Sequence, residues 1–403
     1  MSVFTDYKKE IMDAAHNQQL RTGFARAIKG YRSNISKTLA KFPQSASLAE
    51  EVKAIKERAV GDMEKLAEQA CEAIRENKGE CYIAKTAEDA LNIIRDIVGS
   101  GKLIVMGKTM TGLEIGLREY LENLGNEVYE TDVGEFIVQQ LKDRPMHLTG
   151  PAFHVPRETV AELFSKISEE EIPADPPELV AFVRRFLRDK FVQADIGISG
   201  ANVVAADTGI LFVIENEGNI RLATGFPPIH IALVGMDKLV PSFSEACQVA
   251  QVSWRYVGQT APAYTSLIAS PSKSSDIEKI LTVGVSGPKE LHVIFMDAGR
   301  TELAKHPMMR QTLYCVKCGG CLFECPVFAV TAGHFGDTYF GGMGAVWAGM
   351  VSKDVEKAAA LAYTCLTCGR CKIRCPMKID IPAMVVELRR LINEGMLKGA
   401  QNR

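Results

Sequence analysis

Eight of the eleven cysteines fall in two runs near the C-terminus. Cys315, Cys318, Cys321 and Cys325 precede Pro326, and Cys365, Cys368, Cys371 and Cys375 precede Pro376. Each run reads C-x2-C-x2-C-x3-C-P, the spacing that holds a [4Fe-4S] cubane in two-cluster proteins. Three thiolates on one tight loop take three corners, and the fourth, on the segment that follows, points at the other cluster. Crossed ligation is therefore expected, with Cys315, Cys318, Cys321 and Cys375 around one cluster and Cys365, Cys368, Cys371 and Cys325 around the other. Gly319, Gly320 and Gly369 suit loops where backbone N–H groups approach inorganic sulfide. Structural zinc also uses C-x2-C, but as two pairs and not as a run of four ending in Cys-Pro. Iron analysis with electron paramagnetic resonance separates the two metals.

Cys71, Cys81 and Cys247 lie apart from the runs and read as buried small hydrophobes. Arg370, Lys372, Arg374 and Lys378 surround the second run, suited either to docking an acidic partner or to an ordinary solvated face.

A second set of candidate residues lies upstream. Gly107-Lys108-Thr109 sits between an apolar run and a helical stretch, as in a phosphate loop, yet the required earlier glycine is misplaced by one at Gly101, which argues against a nucleotide triphosphatase. An anion held near Lys108 and Thr109 remains compatible with the pattern. Glu130, Glu135, His154, Asn202, Glu217 and Asn219 fall in or beside expected loops, where parallel α/β sheets bind ligands and where such residues also serve as turns and caps. Of these, His154 is the candidate base for a hydroxyl proton. No G-x-G-x-x-G follows a strand, so no nucleotide fingerprint for a flavin or nicotinamide is present.

The elements that must position these groups follow from periodicity. Residues 1–80 are rich in Ala, Glu, Lys and Arg with apolar positions at helical spacing, broken by a turn near Pro43 from which Ser47 is expected to cap the next helix. From 81 to 300, short apolar runs at 102–106, 127–130, 194–199, 210–215, 229–234 and 291–296 alternate with helical stretches such as 112–124 and 160–167. That alternation predicts an α/β domain on a mainly parallel sheet. Residues 301–403 form a helical module around the cysteines, ending in a helix over 381–395. Lys and Arg total 47 against 49 Asp and Glu, so no net field selects nucleic acid. The N-terminus lacks a secretory pattern and no apolar run reaches the roughly 18–20 residues of a membrane span, which predicts a cytoplasmic protein attached to membranes only through partners.

Glu130-Thr131-Asp132-Val133-Gly134-Glu135, Gly200-Ala201-Asn202, Asp207-Thr208-Gly209, Asn216-Glu217-Gly218-Asn219 and Ser286-Gly287-Pro288-Lys289 together resemble the lactate-utilisation (LUD) domain. Phe340-Gly341-Gly342-Met343-Gly344-Ala345-Val346, between the cysteine runs, resembles the linking segment of the iron–sulfur subunit of bacterial L-lactate oxidation complexes. The resemblance spans about residues 50–395. It implies a fold similar to CoA transferases and ribose-phosphate isomerases, joined to an α-helical ferredoxin with two [4Fe-4S] clusters. It also implies a cysteine-rich heterodisulfide-reductase-like partner subunit and a second LUD protein or a flavoprotein. Fuller members continue beyond the point matching Arg403. The expected role is electron transfer within an oxidoreductase acting on lactate or a similar 2-hydroxy acid. The alternative is a non-catalytic docking and relay subunit.

Overall fold

The computed structural model describes residues 3–397. Four helices come first, Val3–His16, Gln18–Lys41, Ser45–Gly61 and Met63–Glu76. Twelve strands follow: β1 (Glu80–Ala84), β2 (Leu103–Met106), β3 (Glu127–Glu130), β4 (Ile196–Ser199), β5 (Val203–Ala205), β6 (Leu211–Glu215), β7 (Ile229–Gly235), β8 (Leu239–Val240), β9 (Tyr264–Ile268), β10 (Lys273–Ser274), β11 (Thr282–Val283) and β12 (Glu290–Met296). Beyond them lie the helices of the cysteine module, the longest being Gly341–Met350, Val355–Thr364 and Ile381–Asn393. No helix among the described residues is long and apolar enough to cross a membrane.

Six strands form one parallel sheet in the order β1-β12-β7-β4-β2-β3. Every residue of β4 is buried, as expected where helices cover both faces and strands become continuously apolar. Ile94, Leu117 and Leu121 pack on one face. Phe136, Phe164 and Phe182 pack on the other near β2, and Ile74 and Val203 near β12. Gly197, in β4, is held to glycine by close approach: a Cβ there would stand 1.7 Å from the Ala223 carbonyl oxygen.

Several expectations are corrected. The strand over 210–215 belongs to a second sheet, β8-β5-β6-β9, in which β6 runs antiparallel to both neighbours. The helical stretch 112–124 is two helices, Met110–Glu114 and Leu117–Asn123, because Gly116 between them takes a left-handed φ of 61°. Ser47 caps nothing. The helix already starts at Ser45, and the Ser47 hydroxyl donates to the Gln44 carbonyl within its first turn at 2.9 Å. Cys71 and Cys81 are buried but joined as a disulfide, since the tight reversal at Lys78-Gly79 lays β1 beside the preceding helix. Cys247 is exposed on its helix.

The first helices are not a separate appendage. On Gln18–Lys41, Tyr31 donates to the Tyr256 carbonyl at 3.1 Å and stacks on Phe323 at 4.4 Å, so one helix touches both the α/β domain and the first cysteine run. A buried charge network ties the same two parts. Arg300, 1% exposed, reaches Asp237 at 2.7 Å and Glu114 at 2.7 Å; Tyr339, from the cysteine module, donates to Glu114 at 2.7 Å. Burial alone would raise the Asp237 carboxyl, but the Arg300 guanidinium overrides it and holds the acid far below its ordinary range. Lys56 donates to the Asp237 carbonyl from below, and burial draws its ammonium down to about 8.

Candidate functional site

The two cysteine runs have the same backbone. Lys317 and Thr367 take left-handed φ values of 58° and 49°, and Gly319 and Gly369 values of 71° and 80°. The Lys317 N–H points to Cys315 Sγ at 3.4 Å and the Thr367 N–H to Cys365 Sγ at 3.5 Å. A five-residue helix follows each loop, Gly320–Glu324 and Arg370–Arg374. Those two helices pack on each other, which brings each fourth cysteine to the opposite loop.

The result is two small, mostly apolar cavities. Cys315, Cys318, Cys321 and Cys375 line one; Cys325, Cys365, Cys368 and Cys371 line the other, and Cys321 reaches both. Among the described residues no three Cys, His, Asp or Glu side chains close on a single point as one metal ion would need; the sulfurs stand around a space instead. As free thiols Cys318, Cys371 and Cys375 would stay protonated, because burial first, then neighbouring cysteines, pushes Cys318 to about 11 and the other two to about 12. Thiolates in such a setting need a cationic metal core, and the donor set fits an iron–sulfur cluster in each cavity. Glycines in the linking segment make room. A Cβ on Gly342 would stand 2.7 Å from Ile381 Cγ2 and one on Gly344 2.1 Å from the Tyr339 carbonyl oxygen.

The surroundings of the two runs differ. The first is wrapped by protein: Tyr31 stands where any Cβ on Gly320 would go, 2.4 Å away, and the buried His147 lies under Gly319. Burial, then Lys108, lowers His147 to about 3, so this ring is neutral. The second run is at the surface, with Cys368 exposed.

A cavity of about 590 Å³ opens at the C-terminal ends of β2 and β4, the place where open α/β sheets take ligands. Its floor is Lys108, Thr109, Gly200 and Asn202. Its far wall is Lys317 and Cys318 of the first cysteine loop, and Tyr31, Lys238 and Trp254 close the sides. Thr109 accepts from the Gly112 N–H at 3.3 Å and presses so close to Gly200 that a Cβ there would lie 2.8 Å from its hydroxyl. Asn202 accepts from the Ile214 N–H at 2.8 Å, which locks β6 beside the cavity. Burial pulls the Lys238 ammonium below its usual range against the opposing pull of Asp237.

Of the residues singled out from sequence, Lys108, Thr109 and Asn202 line this cavity. Glu130, Glu135, Glu217 and Asn219 do not; the three glutamates form an acidic group near Lys108, whose Nζ meets Glu135 Oε1 at 2.7 Å. Burial, then Glu135, holds the Glu130 carboxyl well above the carboxylate range, and burial, then Asp132, raises Glu217 to about 7. Glu217 accepts from the Val133 N–H at 3.2 Å and Asn219 donates to Thr131 at 3.2 Å, so both fix loops. His154 lies outside the cavity, bonded to Asp143 at 2.9 Å. Tyr31, Lys238, Trp254 and Lys317 were not anticipated.

Comparison with known proteins follows the same division. Residues 67–296 match the LUD domain and residues 311–379 the 4Fe-4S dicluster domain. Lactate utilization protein B of Bacillus subtilis is 33% identical over 98% of this chain and 81% of its own length. Its namesake from Bacillus licheniformis is 33% identical over 96% of this chain and 80% of its own. An uncharacterized electron transport protein, YkgF, of Escherichia coli is 29% identical over 99% of this chain and 83% of its own. Because the likeness runs from the α/β domain through both cysteine runs, the chain belongs to the LUD-domain family, among the members that join this domain to an iron–sulfur dicluster module.

Proposed function

We propose that this chain is the iron–sulfur electron-transfer subunit of a cytoplasmic, multi-subunit oxidoreductase that oxidises L-lactate, or a similar 2-hydroxy acid, to the 2-oxo acid. The observation that carries the reading is the shared wall: Lys317 and Cys318 line the same cavity as Lys108 and Asn202. Names of the relatives supply the substrate class. The cysteine sets Cys315, Cys318, Cys321, Cys375 and Cys365, Cys368, Cys371, Cys325 would each hold one [4Fe-4S] cluster. Such a group exchanges one electron at a time, at potentials that span about −700 to +450 mV across proteins.

The chain's own residues bind and orient. Lys108, fixed by Glu135, and Lys238 offer ammonium charge to a carboxylate, while Tyr31 and Trp254 cover it from water. The partners suited to this role are a cysteine-rich heterodisulfide-reductase-like subunit and a second LUD protein or a flavoprotein. A specific observation favours the alternative of a non-catalytic relay: no His, Asp or Glu lines the cavity among the described residues, so no imidazole or carboxylate base for the hydroxyl proton stands at hand.

The test uses the anaerobic, cluster-loaded chain. L-lactate should bind, bleach the iron–sulfur absorbance, and lose about tenfold in affinity in Lys238→Met, the equivalent of about 1.4 kcal/mol. Binding without bleaching, with bleaching restored by a co-purified partner, supports the relay. Absence of both binding and bleaching refutes the lactate reading.

A further inference from the structure

Although the two cysteine loops share a backbone, only the first faces the ligand cavity. The second presents an exposed ligand-set cysteine, Cys368, flanked by two apolar side chains that the fold leaves in water, Leu366 at 63% and Ile373 at 83% exposure. Large apolar side chains bared together at a functional group mark contact surfaces better than scattered ones do. Within the second cysteine run itself the charge has one sign, and the nearest carboxylate in sequence, Asp380, is taken up by Lys372. Residues 363–379 contain Arg370, Lys372, Arg374 and Lys378 and no Asp or Glu, in a chain whose formal net charge is −2. Arg374 is drawn inward to the Tyr31 hydroxyl at 3.0 Å and Lys372 is paired with Asp380. Arg370 and Lys378, both exposed, have no ion-pair partner among the described residues.

We infer that this face, centred on Leu366 and Ile373 and rimmed by Arg370 and Lys378, docks an acidic protein carrying a one-electron centre, and that electrons cross between the chain and its redox partner here. The inference rests on the proposed iron–sulfur ligation by the second cysteine set, and it adds the partner's chemistry and the side of exchange. Apolar centre and charged rim divide the work as protein interfaces do: the rim steers encounter and the centre excludes water. The transfer is a single electron from the reduced chain to an oxidised acceptor; no bond or proton changes place.

The experiment leaves lactate out, so that its failure is separable from failure of the substrate reading. The anaerobic, cluster-loaded chain is reduced with dithionite, desalted, and mixed in a stopped-flow instrument with an acidic acceptor, plastocyanin, or a basic one, cytochrome c. Iron content and the paramagnetic signal of each variant are checked first. The expected result is a plastocyanin rate that falls on the order of tenfold as ionic strength rises from about 0.01 to 0.3 M. In Arg370→Glu/Lys378→Glu the low-salt plastocyanin rate should fall on the order of tenfold and the cytochrome c rate should rise. Ile373→Glu/Lys378→Glu, which leaves the residue beside Cys371 untouched, should do the same. Wild-type rates insensitive to salt, faster transfer to cytochrome c at low salt, or variants that match wild type would each overturn the inference.

Discussion

Replacing Arg300 by Met tests how the two halves of the molecule are joined. The guanidinium is 1% exposed and answers two carboxylates, Asp237 and Glu114, each at 2.7 Å. Methionine approximates its length but leaves both acids buried without their cation. Removing one partner of a buried ion pair costs about 3–5 kcal/mol. With an unfolding entropy near 2.1 cal/mol/K per residue, a chain of 403 residues loses about 4–6 °C of melting temperature for that cost. Because Tyr339 bonds to the same Glu114 and Trp347 lies 5.1 Å from the guanidinium, the loss should include weaker seating of the cysteine module. The dependence on pH is more diagnostic. In the native chain Asp237 is depressed, so its contribution is present above the unfolded value of about 4 and lost as pH falls toward the folded one. Without Arg300 the largest counterweight to burial is removed and only Lys238, Lys317 and Lys56 still hold the Asp237 carboxyl down, so its protonation moves to higher pH and relieves the buried charge. The deficit of Arg300→Met should therefore be smaller at pH 5 than at pH 8. Arg300→Lys, which keeps the charge but not the fork, should fall between. Melts of the loaded protein at matched scan rate decide the matter: a loss under about 1 °C, or one equal at both pH values, refutes the argument.

Lys56 makes the opposite kind of claim. Its folded value of about 8 lies below the ordinary lysine value of 10.5, so the unfolded chain binds more protons between them and stability should rise with pH across that window, by about 3 kcal/mol at most. Lys56→Met should abolish that rise in a comparison of urea midpoints. Gly197→Ala would force a Cβ to 1.7 Å from a backbone oxygen that cannot rotate away; overpacking of about 1–3 kcal/mol or more is expected, visible as low soluble yield or a depressed melt, while Gly225→Ala, which meets nothing within 4 Å, serves as the control.

What could be read from sequence divides by the range of the interaction. The cysteine spacing encodes its own loop, and β3 falls on residues 127–130 as expected because its alternation is local. Lys108 and Thr109 were visible because the Gly-Lys-Thr pattern sits between a strand and a helix. Tyr31, Lys238 and Lys317 were not: a helix position 77 residues upstream of Lys108, the short turn between β7 and β8 and a position inside a cysteine loop meet only through packing. The second sheet escaped because β5 and β8 span three and two residues, too short to show a period. Polar residues on a loop gave no sign of direction, so His154 was grouped with Lys108 although its ring turns to Asp143.

The matching backbones of the two cysteine loops have one more implication. Lys317 and Thr367, like Gly319 and Gly369, are copies of one another in shape, so the loop is a repeated part and, with a cluster proposed in each, could not by itself make the two behave differently. Whatever distinguishes them must be written in the flanks, where one copy has Tyr31, His147 and Lys238 for company and the other leaves Cys368 exposed to water. A duplicated part set in unequal company gives the wire two distinguishable ends, and lets mutation retune either end while the cage stays fixed.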